Sequence, residues 1–160
     1  MKKSQNINKL FIAIVLCLSV GFLGSIFTTP AIDTWYNTLQ KPDFNPPSWI
    51  FGPVWTTLYI LMGIALFFVW QKGLKKRNVR FAFWLFIMHL VFNLFWSILF
   101  FGLKNIGLAM IDILVLWLMI IALIYSFCEI DKKAAWLLVP YFFWVSFAGA
   151  LNYAIWLLNK

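Results

Sequence analysis

Between residues 81 and 103 the chain is apolar apart from a few groups, and two of them lead a row: His89, Asn93, Trp96 and Phe100 stand at i, i+4, i+7 and i+11. That spacing puts all four on one face of a helix. An imidazole and a carboxamide in an apolar run need hydrogen-bonding partners, so this face turns toward a bundle interior or a cavity. Asp112 is the only acid within the apolar runs. A buried carboxylate costs several kcal/mol unless it is paired or protonated. Two roles stay open for it: a structural hydrogen bond to a neighbouring helix, or a polar group at the floor of a binding cavity. Folding back about Lys104 sets it across from Phe95 and Trp96, within about a turn of Asn93.

Other chemistries find no candidates. The chain has one histidine, so a metal site is not expected, and Cys17 and Cys128 fit neither metal spacing nor a disulfide framework. They read as small packing residues. No nucleophile–base pair, glycine-rich phosphate loop or pair of carboxylates is present, which leaves conventional acid–base catalysis without a constellation.

What remains is aromatic. Phe51, Trp55, Tyr59 and Met62 share one stripe, and Tyr141, Trp144, Ala148 and Asn152 share another. Converging with the His89 face, they would enclose an apolar pocket with sparse polar atoms, the usual character of a small-molecule site. The chain has ten tryptophans. Trp49, Trp70, Trp84, Trp136 and Trp156 suit an interfacial belt. Trp35 falls in a connection, whereas Trp55, Trp96, Trp117 and Trp144 lie deeper, where packing and cavity lining are both open. Ser146, Ala150 and Ala154 form a small-residue seam suited to close helix contact.

These stripes need elements to carry them. The chain has 160 residues, is 64% hydrophobic and only 11% charged, with a mean hydropathy of +0.89. So few charges cannot cover a soluble domain. The apolar runs are each long enough to cross a bilayer as a helix. The expectation is one all-α domain over 1–160, a five-helix membrane bundle with helices at about 8–27, 49–71, 80–102, 105–128 and 134–158. The first run follows Lys2, Lys3 and Lys9, as a secretory signal would, but it is long and no clean cleavage site follows, so it reads as a retained helix.

The net charge of +8 is a topology signal, which removes the nucleic-acid reading. Lys41, Lys104 and Lys160 fall on one side of the bundle and every other Lys and Arg on the opposite side. For a bacterial inner membrane, the N-terminus is then cytoplasmic and the C-terminus outside. Only the first connection, about 28–48, is long. It runs into KPDFNPPSWIFGPVW, too stiff and aromatic for a bland linker, and reads as a lid over the pocket. The second helix starts with Ser48 as N-cap, leaving Pro53 to kink it, or starts at Pro53 itself.

The segment WYNTLQKPDFNPPSWIFGPVWTTLYILMGIA resembles the signature of the TspO/MBR family, the tryptophan-rich sensory and translocator proteins, also called peripheral-type benzodiazepine receptors. FNLFWSILFFG, GLAMIDILVL and PYFFWVSFAGALNYAIW are similar to the family's third, fourth and fifth helices, so the likeness runs from about Trp35 to Trp156. It implies a five-helix bundle, often a homodimer, with a cavity under the first loop. Family ligands are porphyrins (protoporphyrin or haem), isoquinoline and benzodiazepine drugs and, in animals, cholesterol; no obligatory cofactor is implied. Carried onto this chain, the ligand-binding residues are Tyr36, Pro46, Phe51, Trp55, Tyr59, His89, Asn93, Trp96, Asp112, Trp144, Phe147 and Ala148. Some bacterial relatives are credited with degrading protoporphyrin in light through cavity tryptophans, here Trp55 and Trp144. An indole can give an electron to a photoexcited tetrapyrrole without any acid–base pair. The resemblance therefore leaves a binding protein or sensor, a light-dependent enzyme and a transporter as its alternatives.

Three departures stand out. Phe44 replaces a tryptophan in the family's KPxWxPP. His89 stands where Gln or Asn is common, adding a porphyrin or metalloporphyrin contact. The sterol-recognition pattern begins with Leu151 and Tyr153 but meets its base, Lys160, one residue too late.

Overall fold

The computed structural model describes the chain from Lys2 to Lys160. The long helices are α1 (Lys2–Ala31), α2 (Phe51–Trp70), α3 (Arg77–Ser97), α4 (Ile106–Ile130) and α5 (Lys132–Leu158). All five are long and apolar enough to cross a membrane. Their outward faces carry large apolar side chains, among them Phe11, Trp84, Tyr125 and Trp136. That surface suits lipid, because lipid does not drive apolar side chains inward as water does. The all-α membrane bundle expected from the sequence is what the chain forms.

The main helix contacts run in a ring: α1 on α2, α2 on α5, α5 on α4, α4 on α3 and α3 on α1. α1 and α2 meet through glycine. A Cβ at Gly63 would lie 2.7 Å from the Ile14 Cα, and one at Gly21 would lie 2.5 Å from a Tyr59 ring carbon. Glycine at both positions lets the helices close. Below this crossing the interior is solid, filled by Met62, Leu66, Phe86, Leu116, Ile120 and Phe127. A smaller cluster of Tyr36, Phe100, Ala109, Leu151 and Ile155 sits toward the opposite end.

The first helix differs from the expected 8–27. Pro30 lacks the N–H that would continue the ladder, yet the chain does not stop there. It enters a π-helical turn over Ile32–Tyr36 and stays helical to Thr38. Thr34 Oγ1 donates to the Pro30 carbonyl at 2.7 Å, supporting the irregular turn. The connection that was expected over 28–48 is therefore only residues 39–47. α2 follows neither proposed start: a 3-10 turn over Ser48–Ile50 leads into Phe51. Pro53 then lies in the first turn, where backbone N–H groups have no helical acceptor, so it removes no ladder bond.

At the basic end the turns are tied together. Asp131 caps α5 by accepting from the Lys133 N–H at 3.0 Å and pairs with Lys72 of the α2–α3 turn at 2.9 Å. The Lys72 hydrogen bond holds the Asp131 carboxyl below the ordinary carboxylate range. At the other end α3 relaxes into a π turn over Ile98–Gly102. Lys104 follows in the left-handed region at φ 55°, and Asn105 caps α4 by accepting from the Leu108 N–H at 3.0 Å.

Candidate ligand cavity

Beyond the α1–α2 crossing the helices enclose a cavity of about 520 Å³. This lies within the range of about 300–1,000 Å³ common for small-molecule sites. Its walls come from the loop-side halves of α1, α2, α3 and α5. Phe51, Trp55 and Tyr59 supply the α2 wall; Asn93, Trp96 and Phe100 the α3 wall; Trp144, Ala148 and Asn152 the α5 wall. Each trio recurs at helical spacing, which is why one face of each helix supplies it. Phe22 and Trp49 also line the cavity, yet are 69% and 74% exposed. The cavity thus opens sideways between α1 and the entry to α2.

Tyr36, Phe51, Trp55, Tyr59, Asn93, Trp96, Trp144 and Ala148, singled out in the sequence, all line this space; Pro46, His89, Asp112 and Phe147 do not. Pro46 lies in the connection. Phe147 packs behind Trp144 at 5.6 Å between ring centroids. His89 is wholly buried one turn below Asn93, in the solid part of the bundle. Asp112 is also buried but belongs to α4, which lies behind α3 and α5 and contributes nothing to the cavity wall. The floor position inferred for it assumed that α4 borders the hollow. Its Oδ2 has no hydrogen-bond partner among the described residues.

The wall that the stripes did not anticipate is α1. Gly21, Gly24, Ser25, Thr28 and Ile32 line the cavity at i, i+3, i+4, i+7 and i+11. A row of small and hydroxyl residues on one face of an otherwise greasy helix was the available signal.

The polar atoms at the cavity base form a directed chain. The Tyr59 hydroxyl donates to Asn93 Oδ1. Asn93 Nδ2 donates to the Tyr141 oxygen at 3.0 Å. Tyr141 Oη lies 2.8 Å from His89 Nε2, and His89 Nδ1 lies 3.3 Å from the Phe86 carbonyl. A carbonyl only accepts, so Nδ1 carries the ring hydrogen and Nε2 accepts from Tyr141. Every member thus has a partner with the neutral imidazole in place. Nearer the loop, Trp96 Nε1 donates to Asn152 Oδ1 at 3.1 Å, and Asn152 Nδ2 donates to the Ile106 carbonyl at 3.1 Å. Trp117 is no wall residue; its Nε1 donates to Ser146 Oγ at 2.8 Å in the α4–α5 seam. The buried Trp144 Nε1 has no acceptor among the described residues.

The connection closes over the α5 side. Tyr36 donates to Asn45 Oδ1 at 2.7 Å. Gln40 donates its N–H to Asn159 Oδ1 at 2.9 Å and accepts from Asn159 Nδ2 at 2.8 Å. The Phe44 ring lies 6.3 Å, centroid to centroid, from that of Phe147.

Comparison with known proteins gives a consistent result. The family model described as the TspO/MBR family matches residues 13–157. The chain is 46% identical over 156 residues to the tryptophan-rich protein TspO of Chlorobaculum tepidum, covering 98% of this chain and 99% of that protein. It is 39% identical over 142 residues to the translocator protein of Bos taurus, covering 88% of this chain and 83% of that protein. To the tryptophan-rich sensory protein of Cereibacter sphaeroides it is 38% identical over 139 residues, covering 85% of each.

Proposed function

The chain belongs to the TspO/MBR family, and from that premise we propose that it is a membrane-embedded binding protein, a sensor for flat apolar tetrapyrroles such as protoporphyrin. The observation that carries this reading is the cavity of about 520 Å³ walled by Phe51, Trp55, Trp96, Phe100 and Trp144. Aromatic faces suit a planar π-system, and the sideways opening suits a guest that partitions into lipid. The Trp144 ring adds aromatic surface to the α5 wall of that space. In the same reading the protein lies in a bacterial inner membrane as a homodimer, with the N-terminal, lysine-rich end in the cytoplasm.

Titrating protoporphyrin into purified protein should quench tryptophan fluorescence saturably. Trp144→Ala removes one ring of the wall. It should weaken binding by about 3- to 10-fold, the worth of one aromatic contact. Absence of saturable quenching in the parent protein would remove the reading.

The second reading is light-dependent tetrapyrrole breakdown. Trp55 and Trp144 both line the cavity, where either could reduce an excited guest. Illumination of the complex should then bleach the pigment, and Trp55→Phe together with Trp144→Phe should bind without bleaching. A transporter, by contrast, would move bound porphyrin across vesicles.

A further inference from the structure

Trp55 touches two tyrosines, and the two are not equivalent. Tyr59 stacks on it with ring centroids 5.5 Å apart, and Tyr141 meets it edge-on at 6.2 Å. Both are within reach for transfer of an electron between rings in contact. The difference lies at the hydroxyls. Tyr59 donates to the Asn93 carboxamide oxygen, which is not a base. Tyr141 donates to His89 Nε2, 2.8 Å away, which is one. Oxidation of a phenol is accessible only when its proton can leave with the electron, so the hydroxyls decide which ring can be oxidised.

We propose that Tyr141 and His89 form a proton-coupled redox relay behind Trp55, refilling that indole after it has lost an electron to a light-excited aromatic guest. The proposal rests on the reading of the cavity as the seat of such a guest. The excited guest takes one electron from Trp55, giving a guest radical anion and a Trp55 radical cation. Tyr141 passes one electron to Trp55 and its hydroxyl proton to His89 Nε2. Trp55 is restored, Tyr141 becomes a neutral phenoxyl radical, and His89 becomes an imidazolium. The positive charge has moved from Trp55 to His89; no new charge has been created in the low-dielectric interior. The imidazolium is satisfied where it stands, donating from Nδ1 to the Phe86 carbonyl and from Nε2 to the phenoxyl oxygen. Asn93 Nδ2 also donates to that oxygen. The guest electron passes to dioxygen, giving superoxide, or returns and reverses every step.

His89 and Tyr141 lie outside the cavity lining, so they act through Trp55 as relay residues and do not touch the guest. The relay would hold an oxidising equivalent away from the guest and prolong the charge-separated state. Among the chain's residues this asks for one base at one position, and His89 is its only histidine.

The test avoids porphyrin, so that a failure of guest binding cannot be mistaken for a failure of the relay. In full-length protein carrying Cys128→Ser, Thr56→Cys at the cavity edge is labelled with a ruthenium polypyridyl photo-oxidant. Persulfate serves as the electron acceptor. The flash should give a tryptophan radical that converts to a tyrosyl radical, seen by transient absorption and by electron paramagnetic resonance. Conversion should slow in deuterated water. With 15N-histidine, which labels His89 alone, the tyrosyl signal should show coupling to the imidazole. Tyr141→Phe should abolish the tyrosyl signal and leave the tryptophan radical long-lived. His89→Gln, which keeps a hydrogen-bond acceptor but removes the base, should do the same and serves should Tyr141→Phe fail to fold. Tyr59→Phe should leave conversion intact. A tyrosyl signal that survives either the Tyr141 or the His89 change, or that disappears with Tyr59→Phe, overturns the proposal.

Discussion

Asn93 serves two tyrosines with one side chain. Its oxygen takes the Tyr59 hydroxyl, and its nitrogen supplies Tyr141 at 3.0 Å. A carboxamide carries both an acceptor and a donor on one short side chain. Asn93→Leu removes both functions while roughly keeping volume. Tyr59 then loses its acceptor in a buried site, and Tyr141 loses a donor. Each orphaned buried group costs about 1–3 kcal/mol. Thermal unfolding in detergent should show a clearly lower Tm for Asn93→Leu. Asn93→Asp, which can still accept from Tyr59, should fall between the two. Equal Tm for all three would mean that the chain of hydrogen bonds is not holding the cavity base. The sequence exposed the need for this chain, because His89 and Asn93 on one stripe in lipid had to find partners. It did not reveal that the partners were tyrosines on α2 and α5. Tyr59 and Tyr141 read as aromatic wall, and only the helix order shows that Tyr141 points at His89.

Element by element, legibility depended on whether a helix faced the cavity with aromatics. The stripes on α2, α3 and α5 were readable, since rings at helical spacing leave a pattern. α1 was not read as a wall, because its cavity face is made of what is small: Gly21, Gly24, Ser25 and Thr28. Asp112 misled in the opposite way, because a lone charge draws attention whichever neighbour it faces. Its placement depended on α4 lying outside the hollow, which local pattern does not specify. The end of α1 was also hidden, since Pro30 ordinarily reads as a stop and a π turn carries the helix past it. The same element makes a close backbone contact with α2. At Gly63 a Cβ would meet the backbone of Ile14 at 2.7 Å, and backbone cannot swing aside as a side chain can. Gly63→Val should therefore force α1 and α2 apart and cost about 1–3 kcal/mol through overpacking. Because the crossing sits directly beneath the cavity, guest binding should weaken along with thermal stability. Gly149→Val is the control: a Cβ there meets nothing within 4 Å, and the position lines no part of the cavity. If Gly63→Val melts and binds like Gly149→Val, the crossing is looser than it stands.

On the scale of the whole molecule, the bundle is solid at its basic end and hollow at the other, and the two ends are closed differently. The basic end is closed by packing and by the Lys72–Asp131 pair. The hollow end has one open side, between α1 and the start of α2, and one latched side, where the connection is held to α5. The latch is narrow. Asn159 makes both hydrogen bonds to the Gln40 backbone, while Phe44 rests edge-on against Phe147. If guests pass under the connection, removing the latch should raise the population of the open state. Asn159→Ala deletes these two exposed hydrogen bonds, each worth about 0.5–1.5 kcal/mol net, together with a third from Asn159 Nδ2 to the Ile155 carbonyl. Entry and release should then both accelerate, by about 3- to 10-fold for roughly 1 kcal/mol of lost closure. The dissociation constant should change much less, because Asn159 lines no part of the cavity. Stopped-flow tryptophan quenching with protoporphyrin reads both rates in one series. Unchanged rates would assign traffic to the gap beside Phe22 and Trp49, whose exposed rings already stand where a lipid-borne guest would arrive. A larger side chain there, such as Gly52→Phe, should then slow both rates while the latch variant does nothing.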